Sequence, residues 1–282
     1  MMKPKVALFT VFYPGVEKFT DDFIASVNAQ SYSDFDLVIV NDNYTGESVA
    51  KLSPQLSVIE LQYNSSIAGN RQFGINYIKG KGYDILVLCD ADDYFHPTRV
   101  EKTIEALRDF DIAVHDLDVV GSEGTLLCQG YFEKNESDKS SIGRDFIRTK
   151  NILGFSNSAF RLSAINDEVI FPTDVKIVDW YFYTSLIYGG STVKYIPEAL
   201  TYYRQHSNNL IGVDDFSIDL FKRMLSFKLC HCKLCAQYDD YFEKEAATLK
   251  RIGAMPDVQI KEIIMNNKNR TPYPLWWENI TL

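Results

Sequence analysis

Apolar and polar positions follow a regular alternation through the first hundred residues. Four apolar runs predict strands, at residues 5–12, 36–42, 57–63 and 83–90. Between them apolar residues recur every three or four positions, as Phe19, Phe23 and Val27 do, which is typical of amphipathic helices. Strands that are apolar on both faces and alternate with helices predict a parallel sheet covered on both sides.

Polar residues collect where these predicted strands end, namely Thr10, Asn41, Asp42, Asn64, Asp90 and Asp92. In an open parallel sheet, ligands bind beyond the carboxyl ends of the strands. We therefore expect these side chains to line a single crevice.

After Asp111 the pattern becomes irregular. Residues 111–132 predict antiparallel strands, residues 178–190 an apolar helix closed by Gly189 and Gly190, and residues 191–206 another strand. From Asp214 the chain is predicted to be mostly helical, with 214–250 as one helical stretch. The fold class predicted is α/β, with a mostly parallel central sheet, helices on both faces and a helical C-terminal appendage.

Composition excludes some classes of protein. Hydrophobic residues make up 46% and charged residues 24%, values of an ordinary globular protein. The 29 Lys and Arg against 38 Asp and Glu give a net charge of −9, so nucleic acid is not an expected partner. No apolar run reaches the roughly 20 residues of a membrane span, and the start does not resemble a signal peptide. We expect a cytoplasmic protein.

Two features near the C-terminus leave alternatives open. Cys230, His231, Cys232 and Cys235 are close in sequence, but no second ligand pair follows, so buried thiols are favoured over a zinc site. Trp276 and Trp277 suit either packing onto the domain or peripheral association with a lipid interface.

The acidic run after the fourth predicted strand is a candidate site for a divalent cation. Asp90, Asp92 and Asp93 lie within four positions, and carboxylates this close repel one another. Mg²⁺ or Mn²⁺ takes one or two carboxylates, with substrate phosphates completing its coordination. The alternative is a solvated turn or a helix cap before Pro97.

The sequence contains neither a Walker-type glycine-rich lysine loop nor a G-x-G-x-x-G turn, the two familiar phosphate-binding loops. Two other residues indicate a nucleotide site. Asp42 stands where a carboxylate could accept the ring N–H of a base, and Arg71 could face a pyrophosphate. A turn-forming Asp42 and a salt-bridged surface Arg71 are the alternatives.

Taken in order, several motifs resemble those of the family-2 inverting glycosyltransferases, which have the GT-A fold. The similar stretches are "SVNAQSY" (26–32), "VNDNYTG" (40–46), "NSSIAGNRQFGI" (64–75), "DADDYFHP" (90–97), "VDW" (178–180) and "YYRQHSNN" (202–209). The resemblance covers residues 4 to 212. The chain departs from the family pattern at Asn41, Tyr44, Gly46, Ser66, Gln72 and Val178, which bears on the details of the donor.

The resemblance implies a transfer of sugar, with inversion, from a nucleotide diphosphate donor, UDP favoured, to a hydroxyl of a saccharide or lipid-linked acceptor. Asp179 would be the catalytic base, although it also suits a helix N-cap. Asp92 and His206 would hold Mn²⁺ or Mg²⁺, with a packed core histidine as the alternative. The implied nucleotide-binding residues are Thr10, Phe12, Asp42, Asn64, Ala68, Arg71, Asp90 and Ala91.

The acceptor is expected to contact Trp180, Ser156 and Asn157, with a buried tryptophan as the alternative for Trp180. In domain terms we expect a glycosyltransferase domain over 1–212, with a nucleotide-binding half over about 1–110 and an acceptor half over about 111–212, followed by the extension 213–282. The rival functions are a binding protein with a decayed active site and a sugar nucleotidyltransferase. A glycoside hydrolase is disfavoured because Asp90 and Asp92 do not form a pair that could flank a glycosidic bond.

Overall fold

The protein is described here by a computed structural model that covers residues 3–135, 141–206 and 217–268. Within these ranges the strands are β1 (Val6–Phe12), β2 (Asp36–Asn41), β3 (Ser57–Gln62), β4 (Ile85–Leu88), β5 (Tyr94–Phe95), β6 (Ile112–Val120), β7 (Leu126–Cys128), β8 (Ser158–Arg161) and β9 (Val193–Arg204).

The helices within the same ranges are α1 (Thr20–Asn28), α2 (Ile67–Gly80), α3 (Arg99–Ala106), α4 (Tyr131–Asn135), α5 (Arg144–Ile147), α6 (Val178–Tyr188), α7 (Ile218–Cys235), α8 (Asp240–Gly253) and α9 (Asp257–Lys268).

The described strands form one mixed sheet in the order β3-β2-β1-β4-β8-β6-β9-β5, with β7 paired to β6. Strands β1 to β4 run parallel to one another, as the sequence predicted. Strand β8 is antiparallel to both β4 and β6, while β9 pairs with β6 in the parallel sense and with β5 in the antiparallel sense. The first half of the sheet is therefore regular and the second half is mixed.

Strand β1 is buried on both faces, which explains its continuous apolar run. Phe9 faces one core together with Ile75 of α2, and Leu8 faces the other core together with Phe23 of α1. Helix α2 lies very close to β1: a Cβ added at Gly74 would come within 2.1 Å of the Phe9 ring, so a residue without a side chain is needed there. The sheet and its flanking helices thus hold the carboxyl ends of β1, β2 and β4 in a fixed arrangement.

The C-terminal helices share a core with α6. The Trp180 ring stacks on His231 of α7 with centroids 4.1 Å apart, and Phe242 of α8 is fully buried in the same core. The predicted single helix over 214–250 is wrong, because α7 ends at Cys235 and α8 begins at Asp240. Asp239 separates them by capping α8, its carboxylate accepting a hydrogen bond from the Tyr241 amide at 2.8 Å.

In the described part of the chain no helix has both the length and the apolar character needed to cross a membrane. Trp276 and Trp277, for which we predicted either packing or contact with lipid, lie outside the described residues.

Candidate active site

The acidic turn between β4 and β5 sends its three carboxylates to three different partners. Asp90 pairs with Arg71 of α2, whose guanidinium also lies 3.4 Å from the Cys89 carbonyl oxygen. Burial raises the pKa of the Asp90 carboxyl, and the Arg71 guanidinium opposes that rise. The ion pair therefore lets the crevice hold a negative charge next to other carboxylates.

Asp92 faces two side chains from distant parts of the sequence. Its Oδ2 atom accepts a hydrogen bond from the Tyr13 hydroxyl at 3.0 Å and lies 3.0 Å from Nε2 of His206. The His206 side chain is largely buried, and its ring lies 4.7 Å from that of Phe19. A carboxylate oxygen and an imidazole nitrogen thus lie side by side, and a shared metal ion at Asp92 and His206 stays a prediction.

Asp93 points into the protein and is only 1% exposed. The Ser156 hydroxyl and the Arg204 amide, the latter at 2.7 Å, donate hydrogen bonds to its carboxylate. Burial, and the neighbouring charges of Asp92 and Asp90, raise the pKa of Asp93 well above its usual range. This third acidic residue therefore attaches the turn to β9 and does not face the crevice.

The Arg204 side chain fixes the turn from behind. Its guanidinium donates to the Asp92 carbonyl at 2.9 Å, to the Ser122 carbonyl at 2.6 Å and to the Asp22 carboxylate at 2.6 Å. These contacts join the acidic turn, the β6–β7 connection and α1. Because His206 follows two residues later, the same strand end positions both the turn and the imidazole.

Arg99 places a second buried guanidinium beneath the turn. It is fully buried and donates to Nε2 of His115 at 3.0 Å and to the Leu88 carbonyl oxygen. Burial lowers the pKa of Arg99 to about 10, which leaves it charged at neutral pH. Burial and the nearby Arg99 charge lower the pKa of His115, so that neutral His115 can accept this hydrogen bond.

Asp179 lies in the first turn of α6. Its carboxylate accepts a hydrogen bond from the Trp180 amide at 2.8 Å, as an N-terminal helix residue can. A Cβ on Gly154 would lie 3.8 Å from Asp179 Oδ2, so the missing side chain leaves room beside the carboxylate. Burial raises the pKa of Asp179 to about 6, with Asp90 adding to the rise and Arg71 opposing it.

Tyr203 of β9 has a phenol whose pKa responds to carboxylates from two parts of the chain. Burial raises the pKa of its phenol well above the usual value, and four carboxylates add to that rise, namely those of Asp93, Asp92, Asp90 and Asp179. The acidic turn and the candidate base therefore act electrostatically on the same side chain.

Asp42 follows β2 at the far side of the nucleotide half. Its Oδ2 accepts a hydrogen bond from the buried Asn70 amide at 2.7 Å. The preceding Asn41, which departs from the family pattern, is used internally: its side chain exchanges hydrogen bonds with the Tyr44 backbone and donates to Glu60. The departure at Asn41 thus supports the turn that presents Asp42.

Other predicted nucleotide residues differ in exposure. Asn64 is exposed and Ala68 is half-buried in the first turn of α2. Thr10, Phe12 and Ala91 are buried, and the Phe12 ring packs against Phe23 and Tyr44. A role in nucleotide binding stays a prediction for all five residues.

The residues predicted to contact the acceptor are also buried. The Trp180 indole donates to the Ile147 carbonyl at 2.6 Å, which is the buried position that we weighed as the alternative. Ser156 donates to Asp93, and the Asn157 amide donates to the His115 and Ile152 carbonyls at 2.8 and 3.0 Å. Their polar groups are engaged within the protein, so they shape the wall beside Gly154 and Asp179 from behind.

The thiols near the C-terminus occupy different environments. Cys232 and Cys235 are buried, while Cys230 is half-buried and donates to the Asp174 carbonyl at 3.2 Å. His231 stacks on Trp180, and the described residues contain no group of three or more His, Cys, Asp or Glu side chains arranged to hold a metal ion.

Sequence reasoning missed Tyr13, Arg99, Arg204 and Tyr203 as parts of the site. Tyr13 carried a usable signal, since it directly follows β1 at the end where the crevice was expected. Arg99 and Arg204 carried little, because a buried arginine cannot be told from a surface one by sequence position alone.

Comparison with known proteins identifies the family and the fold. The family model described as glycosyl transferase family 2 matches residues 8–168, and the chain belongs to that family. A Bacillus subtilis (strain 168) relative, "Uncharacterized glycosyltransferase YwdF", is 31% identical over 124 residues, which are 42% of this chain and 44% of that protein. An "Uncharacterized glycosyltransferase" of Haemophilus influenzae is 24% identical over 229 residues, 74% of this chain and 68% of the relative.

Solved structures show the fold. A fragment of S. aureus TarS, residues 1–349, in complex with UDP-GlcNAc is similar with a TM-score of 0.59 and 16% identity, over 83% of this chain and 71% of that fragment. The mannosyltransferase PcManGT from Pyrobaculum calidifontis, in complex with GDP-Man and Mn²⁺, gives a TM-score of 0.63 and 14% identity, over 96% of this chain and 82% of its own. The GT-A fold expected from the sequence is confirmed.

Proposed function

We propose that this protein is an inverting glycosyltransferase that moves a sugar from a nucleotide diphosphate, with UDP favoured, to a hydroxyl of a saccharide or lipid-linked acceptor. The observation that carries the proposal is the convergence on one crevice of the Asp90–Arg71 ion pair, the Asp92–His206 pair and Asp179. Membership of glycosyl transferase family 2 supports the same reaction class.

The donor would lie across the carboxyl ends of β1, β2 and β4. Asp42 would accept a hydrogen bond from the base, and Arg71, held by Asp90, would face the diphosphate. Asn64 and Ala68 lie at the start of α2, where an anionic ligand is favoured by the helix N-terminus.

A divalent cation fits the donor set of the Asp92–His206 pair. One carboxylate oxygen and one imidazole nitrogen, 3.0 Å apart, suit Mn²⁺ or Mg²⁺ when diphosphate oxygens and water complete the coordination. When bound, such an ion neutralises charge that develops on the leaving diphosphate. The Mn²⁺ in the PcManGT complex supports a cation requirement in this fold.

Asp179 would take the proton from the acceptor hydroxyl as that oxygen bonds to the anomeric carbon and the diphosphate leaves. A pKa of about 6 suits this role, because the carboxylate is ionised at neutral pH and still basic enough to accept a proton. Gly154 leaves space beside it for the acceptor.

The test is to incubate the protein with UDP-, GDP- and dTDP-sugars in the presence of Mn²⁺ and to measure release of the nucleoside diphosphate. We expect slow hydrolysis of at least one UDP-sugar, lost when EDTA removes the cation. If none of the three nucleotide classes were bound or consumed, the proposal would be wrong.

A further inference from the structure

A turn directly after β1 places Tyr13 beside the acidic turn. Pro14 and Gly15 are its central residues, and the Val16 amide donates to the Tyr13 carbonyl at 3.2 Å. Gly15 has a φ of +96°, the left-handed conformation that a type II turn requires at this position and that glycine adopts without strain. The four residues therefore reverse the chain where β1 ends, with the Val16 side chain fully buried.

Tyr13 restricts the orientation of the Asp92 carboxylate. Its hydroxyl donates to Asp92 Oδ2 at 3.0 Å, and Nε2 of His206 lies 3.0 Å from the same oxygen. The last side-chain torsion of an aspartate is broad, so an unsupported carboxylate can adopt many orientations. A hydrogen bond from a half-buried phenol, which the turn after β1 holds in place, narrows this range. The Asp92 carboxylate is therefore oriented before a ligand arrives.

The charge of the donor matters in a site that would also hold a cation. Asp90 is paired with the Arg71 guanidinium, and a positive charge in contact with a carboxylate reduces the attraction of that carboxylate for a metal ion. The Arg204 guanidinium donates to the Asp92 backbone carbonyl at 2.9 Å. Tyr13 is a neutral donor. It orients the Asp92 carboxylate and leaves its negative charge available to a divalent cation.

The segment that carries Tyr13 also contacts the imidazole of the Asp92–His206 pair. The Phe19 amide donates to the Val16 carbonyl at 2.9 Å, and the Phe19 ring lies 4.7 Å from that of His206. Residues 13–19 thus contact both side chains for which we proposed a cation. Contacts of this kind orient metal ligands in proteins, and losing one typically lowers metal affinity by about 10–100-fold.

We propose, on the basis of the function proposed above, that Tyr13 is a positioning residue for the divalent cation. Its hydroxyl holds the Asp92 carboxylate in the orientation that binds Mn²⁺ or Mg²⁺ beside the diphosphate of the donor. It acts through Asp92 and is not itself a ligand of the cation.

Tyr13→Phe removes the hydroxyl and keeps the ring. Calorimetry of UDP binding to the full chain, once with saturating Mn²⁺ and once with EDTA, gives the factor by which Mn²⁺ strengthens UDP binding. We expect this factor to fall about tenfold in the variant, equivalent to about 1.4 kcal/mol. The affinity for UDP in EDTA should stay within about threefold of the parent, roughly 0.7 kcal/mol, because Tyr13 acts on the cation alone.

Tyr13→Met also lacks the hydroxyl and covers the case in which the phenylalanine variant does not fold. We expect the same fall of about tenfold in the Mn²⁺ factor. A thermal unfolding scan checks that each variant is folded.

Tyr83→Phe is the matched control. The Tyr83 hydroxyl likewise donates to an aspartate, Asp36 Oδ2, but at the opposite edge of the sheet, where β2 begins. This variant loses the same kind of hydrogen bond and should lower the unfolding temperature to a similar extent. Its Mn²⁺ factor should equal that of the parent, so a general loss of stability is distinguished from a loss of cation binding.

The results separate this inference from the proposed function. The inference is overturned if the Mn²⁺ factor in the folded Tyr13 variants stays within about threefold of the parent value, roughly 0.7 kcal/mol. It is also overturned if both variants fail to fold, or if UDP affinity falls as much in EDTA as in Mn²⁺, since Tyr13 would then support the fold or the nucleotide. Failure of the parent to bind UDP, dTDP or GDP in the presence of Mn²⁺ overturns the proposed function instead.

Discussion

The half of the chain proposed to bind the nucleotide and the half proposed to bind the acceptor place their polar groups in different ways. In the first half, parallel strands buried on both faces end at one edge, and Asp42, Asp90 and Asp92 come together there because of strand geometry. In the second half the sheet is mixed, and Asp179 reaches the crevice only because α6 packs against the sheet and the C-terminal helices. The local sequence pattern therefore positions Asp42, Asp90 and Asp92, whereas packing between distant segments positions Asp179.

A substitution at Asp179 is the strongest test of this difference between the two halves of the chain. Asp179→Asn removes the proposed base, and we expect transfer to fall by about 10²–10⁴-fold, the usual contribution of a positioned general base. Nucleotide affinity should stay within about threefold of the parent, since the donor site lies in the other half; threefold is roughly 0.7 kcal/mol. Product formation and UDP calorimetry measure the two quantities.

Asp174→Asn is the control for that experiment, because Asp174 is an exposed carboxylate in the segment that leads into α6. Transfer by the Asp179 variant within about threefold of the parent rate, about 0.7 kcal/mol, would remove the base assignment.

Within the nucleotide half, two neighbouring carboxylates should behave in opposite ways. Asp93→Ala leaves the Ser156 hydroxyl and the Arg204 amide without their acceptor, so we expect a loss of about 1–3 kcal/mol in the free energy of unfolding. Asp92→Asn keeps an oxygen that can accept from the Tyr13 hydroxyl, so it should change that free energy by no more than about 1 kcal/mol. It should instead weaken Mn²⁺-dependent UDP binding by about tenfold, roughly 1.4 kcal/mol.

Urea unfolding and calorimetry with and without Mn²⁺ separate these effects. Equal losses of stability in the two variants would show that the turn acts as one structural unit, and the contrast between Asp92 and Asp93 would be lost.

The raised pKa of Asp179 predicts a pH dependence. The base must be ionised, so kcat/KM should be level above the pKa of about 6 and fall as the pH drops below it. The fall approaches about tenfold per pH unit, which is 1.36 kcal/mol of protonation free energy. A profile of kcat/KM between pH 4.5 and 8, in assay conditions with saturating Mn²⁺, measures it. A level profile down to pH 4.5 would assign the proton transfer to another group.

The smallest expected effect distinguishes packing from acceptor binding at Trp180. Trp180→Phe removes the indole N–H and leaves the Ile147 carbonyl without that donor, so we expect about 1–2 kcal/mol lower stability. The KM for the acceptor should not change, because the ring stacks on His231 and is buried. A rise in acceptor KM with unchanged stability would restore the stacking role predicted from the sequence.

The acidic turn shows why the sequence predicted the types of the site residues better than the directions of their side chains. The run "DADD" indicated clustered carboxylates, but nothing local distinguishes Asp92, which faces the crevice, from Asp93, which faces Ser156 and Arg204. Likewise Ser156 and Asn157 have polar side chains that suit an acceptor site until their buried partners are seen. Sequence gives the residue type, and only the fold gives the direction in which the side chain points.

The helices show the same division. The three- or four-residue spacing of apolar positions was sufficient to predict helices between the strands, and Gly74 of α2 allows the close approach to Phe9. The break between α7 and α8 was missed, because the stretch around Asp239 carries no glycine or proline that would end a helix.

The amino-acid sequence determined the parallel strands, the position of their carboxyl ends and the family to which the chain belongs, because burial on both faces imposes a local apolar pattern. The tertiary structure decided which polar groups face the crevice. Tyr13, His206 and Arg204 meet the acidic turn across the sheet, and Asn70 holds Asp42 from a neighbouring helix. Such contacts depend on packing between distant segments, and no local pattern records them.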